Sequence, residues 1–173
     1  MASKLKTDIL ETVSGSGTIA LTNQLSGMTD ASMPSGSVVQ VKQTYNPSAS
    51  NTASTSTSFV ASGIQLVITP KYANSLLLVQ FNTTMTQKTV NGHGMHAQMW
   101  MNGSVMAGGA EYHLGYKELQ SDYSPMIFSG QYTATSTSTL TFEPHFRSSN
   151  TNNSAIFLHV RSSYGLTVTE IKQ

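Results

Sequence analysis

From Ser37 onward, apolar and polar residues alternate with a period of two, the repeat of a strand that buries one face. In Val38 to Tyr45 this places Val39, Val41 and Tyr45 on one face and Gln40, Lys42 and Thr44 on the other. The same alternation predicts a strand through Thr57, Phe59 and Ala61 and another through Ile64, Leu66 and Ile68, stopped by Pro70. Leu76 to Phe81 is apolar at nearly every position, as expected of a central strand. Met95, Ala97, Met99 and Met101 then line one face of a strand whose opposite face carries His96, Gln98 and Trp100. Asn102-Gly103 predicts a type I′ hairpin, because that turn needs positive φ at both central residues, and Val105-Met106 begins the returning strand. Further strands are expected over 126–132, 140–146, 156–160 and 166–171, separated by turns rich in Ser, Thr and Asn.

Short strands with frequent turns and no helical periodicity predict an all-β fold, an antiparallel β-sandwich or jelly roll. Pro144 lacks an N–H, which points to an edge strand. The interval from Ala107 to Ser124 shows no alternation and reads as a long loop, with Tyr112, Tyr116, Tyr123 and His113 as candidate receptor or interface residues. Tyrosines suit that role because they offer wide amphipathic contact at low entropic cost. Trp100, the one tryptophan, lies on the polar face of its strand, which makes it a further candidate for a second core layer, a subunit contact or a sugar-stacking surface.

The first 36 residues follow neither pattern for long. Leu5, Ile9 and Val13 share one face of a helical turn or two, whereas Ile19 and Leu21 alternate, and Ser14-Gly15-Ser16-Gly17 separates the groups. A segment this short, without disulfide or metal, does not bury these side chains by itself. The chain therefore reads as an extended N-terminal arm, 1–36, and a sandwich domain, 37–173, with Leu5, Ile9, Val13, Ile19 and Leu21 as candidate docking residues. Lys6, Asp8 and Glu11 interrupt any apolar stretch of the signal-peptide kind, so the arm is expected to stay on the mature chain.

Composition narrows the function classes. Nine basic and eight acidic side chains among 173 residues leave a net charge of +1, and only 10% of residues are charged. No basic stripe is available for a nucleic-acid backbone and no polybasic patch for an anionic membrane, and no apolar run approaches the ~20 residues of a helical membrane span. The surface is one of hydroxyls and amides, Ser and Thr making up roughly a quarter of the chain. Without cysteine there is no disulfide, thiolate metal site or thiol nucleophile.

Candidate chemistry is sparse. His93 and His96 are three apart near a strand and leave opposite faces, so no metal is assigned within one chain, though histidines of several copies could meet on an oligomer axis. His145 and His159 are expected on outward faces. Paired-carboxylate hydrolysis would draw on Glu111, Glu118 and Asp122 in the long interval, for which solvated loop acids are the expectation, with Glu143 and Glu170 the other acids outside the arm. No Gly-x-Ser-x-Gly elbow and no phosphate loop is present, so no catalytic residue and no cofactor is assigned.

The opening MASKLKTDILETVSGSGTIALTNQLSGMTDASMPSGSVVQV resembles the N-terminal segment of virion structural proteins of tailed bacteriophages, marine and cyanobacterial ones in particular. Thr7-Asp8-Ile9-Leu10 stands where that pattern more often has Val-Asp-Thr-Ile. Ile68-Thr69-Pro70-Lys71, Ser75 to Val79, Met101-Asn102-Gly103-Ser104 and Leu166 to Ile171 look like the sandwich domain of the same group. The resemblance implies a short fibre, tail component or capsid decoration subunit, a homotrimer held on the virion surface by contacts with other virion proteins after assembly in the host cytoplasm. Together with the uncharged surface it leads us to expect assembly and adhesion to a host-surface glycan, without catalysis. The alternatives are a tail-associated carbohydrate-degrading enzyme and a free lectin-like module.

Overall fold

A computed structural model describes residues 33–88, 94–107, 112–114, 123–151 and 154–173. The chain divides after Met33, and the second unit, Pro34–Gln173, carries the strands. In chain order these are β1 (Val38–Asn46), β2 (Thr52–Ser54), β3 (Val60–Ala61), β4 (Leu66–Ile68), β5 (Leu76–Lys88), β6 (Met95–Met101), β7 (Ser104–Val105), β8 (Tyr112–Leu114), β9 (Tyr123–Thr133), β10 (Leu140–Ser148), β11 (Ala155–Leu158) and β12 (Tyr164–Ile171). The fold is all-β, and no helix occurs among the described residues.

The strands form two antiparallel six-stranded sheets. In the first, β1 pairs with β12, β12 with β5, and β5 with β9, while β11 continues the line of β12 along β5 and β2 flanks β11. In the second, β3 and β4 lie end to end along β10, β10 pairs with β6, and β7 and β8 lie end to end along β6. Each sheet therefore has four rows, and taken by rows (β1/β2, β3/β4, β5, β6, β7/β8, β9, β10, β11/β12) the chain changes sheet at every step except from β6 to β7/β8, the order of a jelly roll. The run 76–81 does lie centrally, with paired strands on both sides.

The core is filled from both inner faces. Leu77, Val79 and Phe81 of β5 face Leu166 and Val168 of β12, and across the interior stand Met95, Ala97 and Met99 of β6 with Phe142 and Phe146 of β10, all buried. An aromatic column joins the sheets. Phe146 stacks on Phe157 at 5.0 Å, Phe157 on Phe81 at 5.1 Å, and Phe81 meets Phe128 at 5.3 Å. The hairpin at Asn102-Gly103 has positive φ at both residues, 50° and 77°, as a type I′ turn requires. Asn102 also fastens it to β10, its N–H donating to Thr141 O and its Oδ1 accepting from Thr141 N, each at 2.9 Å.

Five expectations change. Val41 and Tyr45 do not share the buried face of Val39. The ladder to β12 slips between Val38 and Gln40, so that Val39 is inserted as a bulge, and beyond it Gln40, Lys42 and Thr44 stand opposite the inward Glu170, Val168 and Leu166. One residue of slip moves every following side chain to the other face, leaving Val41 56% and Tyr45 60% exposed. The inward Gln40 and Thr44 instead close the seam between sheets, donating to Thr69 O and Gln65 O.

Pro144 is not on an edge strand, since β10 is paired on both sides. Its carbonyl accepts from Ser62 N in the gap between β3 and β4. The missing N–H points to that same side, where the neighbouring row is interrupted, so no ladder bond is forfeited. The interval 107–124 is not loop throughout, because β8 pairs with β6 and β9 already begins at Tyr123. Thr57 and Phe59 lie outside strands, with β2 and β3 on either side, and the strand expected over 156–160 ends at Leu158.

Candidate functional site

Alternation sends His96, Gln98 and Trp100 of β6 and Glu143, His145 and Arg147 of β10 to the outer face of the second sheet. The register sets Trp100 beside Glu143 and Gln98 beside His145. The Trp100 indole and the His145 imidazole stack face to face, with centroids 4.1 Å apart and planes 2° from parallel. Glu143 is held from the β3–β4 connection, Oε1 accepting from Gly63 N at 3.0 Å and Oε2 from the Gln65 amide at 3.1 Å. Its carboxylate lies 3.8 Å from His145 Nε2. Burial pulls the His145 pKa down, the Glu143 charge opposes it, and burial prevails. Arg147 Nη2 donates to His96 Nδ1 at 3.4 Å, and the guanidinium covers the Phe59 ring. Trp100 Nε1 and His145 Nδ1 are buried without a hydrogen-bond partner among the described residues.

The outer face of the first sheet is different in kind. Its rows, read across β1, β12, β5 and β9, follow from the pairing register. The first is Val38, Ile171, Leu76 and Thr133; the next is Val41, Thr169, Leu78 and Gln131. The third is Gln43, Thr167, Gln80 and Ser129, and the fourth is Tyr45, Gly165, Asn82 and Ile127. No row contains a charged residue. The face runs from an apolar end at Val38 to an amide and hydroxyl end at Gln43, Gln80 and Asn82, and Tyr45 and Ile127, each 60% exposed, close its two sides. Between β5 and β9 it is indented by a groove of about 470 Å³, lined by Leu78, Gln80, Ser129 and Gln131, with the backbones of Val79 and Gly130 as its floor. Gly165 shapes the fourth row. A Cβ there would lie 2.9 Å from Asn82 Oδ1, so the missing side chain lets the Asn82 amide lie across β12.

A third polar feature lies inside. Glu170 occupies the inward parity of β12 with Leu166 and Val168 and is fully buried. Both its oxygens accept from Lys71 N, at 2.9 and 3.0 Å, Oε1 also accepts from Tyr72 N at 3.1 Å, and Oε2 accepts from the Gln40 amide. Burial pushes its pKa up, and the bonds from Gln40, Lys71, Ser75 and Tyr72 together outweigh that push, holding it below the ordinary carboxylate value. The carboxylate ties the β4–β5 connection to β12 and β1.

Of the candidates from sequence, Trp100 is neither core nor isolated, since it stands on an outer sheet face against His145. Tyr112 and His113 belong to β8, where the backbone pairs them with Ala97 and His96, and Tyr123 opens β9 opposite Gln87. Tyr116, Glu111, Glu118, Asp122 and His93 lie outside the described residues, as do the arm residues Leu5, Ile9, Val13, Ile19 and Leu21. Among the described residues no three metal-ligating side chains converge. Nothing in the sequence marks the groove residues Gln80, Ser129 and Gln131, because amides and hydroxyls are common throughout the chain. The alternation puts Tyr45 on the face of Val39 because a bulge leaves no mark on it.

No known protein family matches the sequence, and no curated protein does. Among solved structures, the insecticidal delta-endotoxin Cry8Ea1 of Bacillus thuringiensis overlaps 72% of this chain and 20% of its own at 10% identity, with a TM-score of 0.38. This chain thus spans about a fifth of that protein's length, and a likeness at this level carries no conclusion about activity.

Proposed function

We propose that the chain is a structural subunit of a phage virion, a short fibre or decoration protein that attaches through its N-terminal arm and presents the jelly roll for adhesion to host-surface glycan. The observation that carries this reading is the set of four uncharged rows on the outer face of the first sheet, with Val41, Tyr45, Leu78 and Ile127 exposed, on a fold that serves capsid and lectin domains alike. The resemblance of the first 41 residues to virion proteins supports the attachment half. The role is non-enzymatic in this reading. The two carboxylates among the described residues, Glu143 and Glu170, are both engaged by backbone N–H groups and hold connections in place.

Immunogold microscopy of purified particles with antibody against the full chain tests the location, and labelling at a defined particle site is the expected result. Replacing Leu5, Ile9 and Val13 by Asp in the full chain should abolish incorporation while the circular dichroism of the β domain is retained. Unlabelled particles, or undiminished incorporation of that variant, would reject the proposal. Release of new reducing ends from host polysaccharide would favour the degrading enzyme instead.

A further inference from the structure

We infer that the groove between β5 and β9 is the glycan subsite, taking an uncharged oligosaccharide against Gln80, Ser129 and Gln131, with Leu78 beneath its apolar side and Asn82 and Tyr45 extending the track toward β1. This inference deepens the adhesion reading above and rests on it.

The chemistry of the face selects the ligand. Each Gln or Asn amide offers two donors and an acceptor, and Ser129 adds a hydroxyl able to do either. A neutral sugar ring presents the complement, adjacent hydroxyls that both donate and accept, and a C–H face for Leu78 or the Tyr45 ring. A phosphorylated, sulfated or nucleic-acid ligand would find no counter-charge in any of the four rows, so its desolvation would go uncompensated. The groove, about 470 Å³, is of ordinary size for a small-molecule subsite of ~300–1,000 Å³.

A protein occupant fits less well. The four rows, with strands ~4.8 Å apart and same-face positions ~6.8 Å apart, cover about 500 Å² of a sheet that continues along β5 and β9 to Gln87 and Tyr123. A stable interface takes about 800 Å² from each partner and is anchored on central aromatic or Arg side chains. Here the aromatic, Tyr45, is on the edge strand β1. Gly165 adds a trough between Tyr45 and Asn82 that a narrow chain can follow.

The test is titration of the full chain with uncharged gluco-, manno- and galacto-oligosaccharides, and with sialylated and sulfated chains, followed by calorimetry and amide chemical shifts. At least one neutral series should saturate, with affinity lowered tenfold or more by Gln80→Ala combined with Gln131→Ala. Thr137→Ala, in the exposed β9–β10 connection, should leave the affinity unchanged. Both substituted glutamines are exposed, so the double variant should melt as the parent does, and light scattering should give it the parent's mass. The inference is overturned if no neutral chain binds, if only acidic chains bind, or if the double variant binds as the parent does. A change of oligomeric state in the double variant would also overturn it, assigning the face to contact between copies. Particle labelling reads the virion proposal separately: labelled particles with no glycan binding reject the subsite alone, and glycan binding with no labelling rejects the virion role alone.

Discussion

Glu170→Gln isolates the contribution of a buried carboxylate to this sandwich. The backbone N–H groups of Lys71 and Tyr72 and the Gln40 amide donate to Glu170, and the Ser75 hydroxyl adds to their effect. Glutamine keeps the shape and one acceptor oxygen but turns an NH₂ group toward donors, so charge-assisted bonds become neutral ones and one N–H is left opposed. Bonds to charged groups contribute about 1.5–3 kcal/mol and neutral ones about 1, which puts the net loss at about 2–3 kcal/mol. In a domain of this size that lowers Tm by about 4–12 °C. The pH dependence identifies the cause. The folded pKa of Glu170 is depressed, so its stabilisation is present above the unfolded value and lost as pH falls through the folded one. The gap between parent and variant should therefore be full at neutral pH and close progressively below about pH 5. Thermal melts followed by circular dichroism from neutral to acid pH measure both quantities. A variant that melts within about 1 °C of the parent at neutral pH, or a gap that stays constant on acidification, refutes the reasoning.

Phe157→Ala removes the middle of the aromatic column between the sheets and should cost about 3–5 kcal/mol in urea denaturation, against less than about 1 for an exposed change such as Thr137→Ala. Gly103→Ala forces a Cβ into φ 77° and should destabilise the hairpin by about 1–2 kcal/mol, with the largest amide shifts on β6, β7 and Thr141. Trp100 is the sole tryptophan, so its emission reports the His145 stack, and protonation of that imidazole should quench it with a midpoint below the usual histidine value. His145 holds its proton less tightly folded than unfolded, so stability should fall as pH drops from about 6.5 toward the folded value, and His145→Gln should remove that slope. A midpoint at or above the free-histidine value contradicts the burial seen at the stack.

Much of the fold is legible in local pattern. The alternation in Met95 to Met101 and in Leu140 to Phe146 identifies the strands and their buried faces, because each strand's periodicity is carried by its own side chains. Asn102-Gly103 declares its turn because few residues tolerate that backbone. The candidate site was much less legible. The groove joins Gln80 of β5 to Gln131 of β9, and nothing in either stretch refers to the other.

The sequence by itself determined the class of structure, the placement of most strands and the neutral character of the surface. These follow from short-range preferences and from composition. The tertiary structure alone decided which face of β1 turns inward, through a bulge at Val39 whose effect passes to Val41 and Tyr45. It alone gave Pro144 a place inside the sheet, opposite the gap between β3 and β4, and it alone buried Glu170. The physical reason is common to all three. Register and pairing are settled between strands far apart in the chain, and the donors that make a buried charge or a missing N–H tolerable come from whichever strand the topology sets beside it.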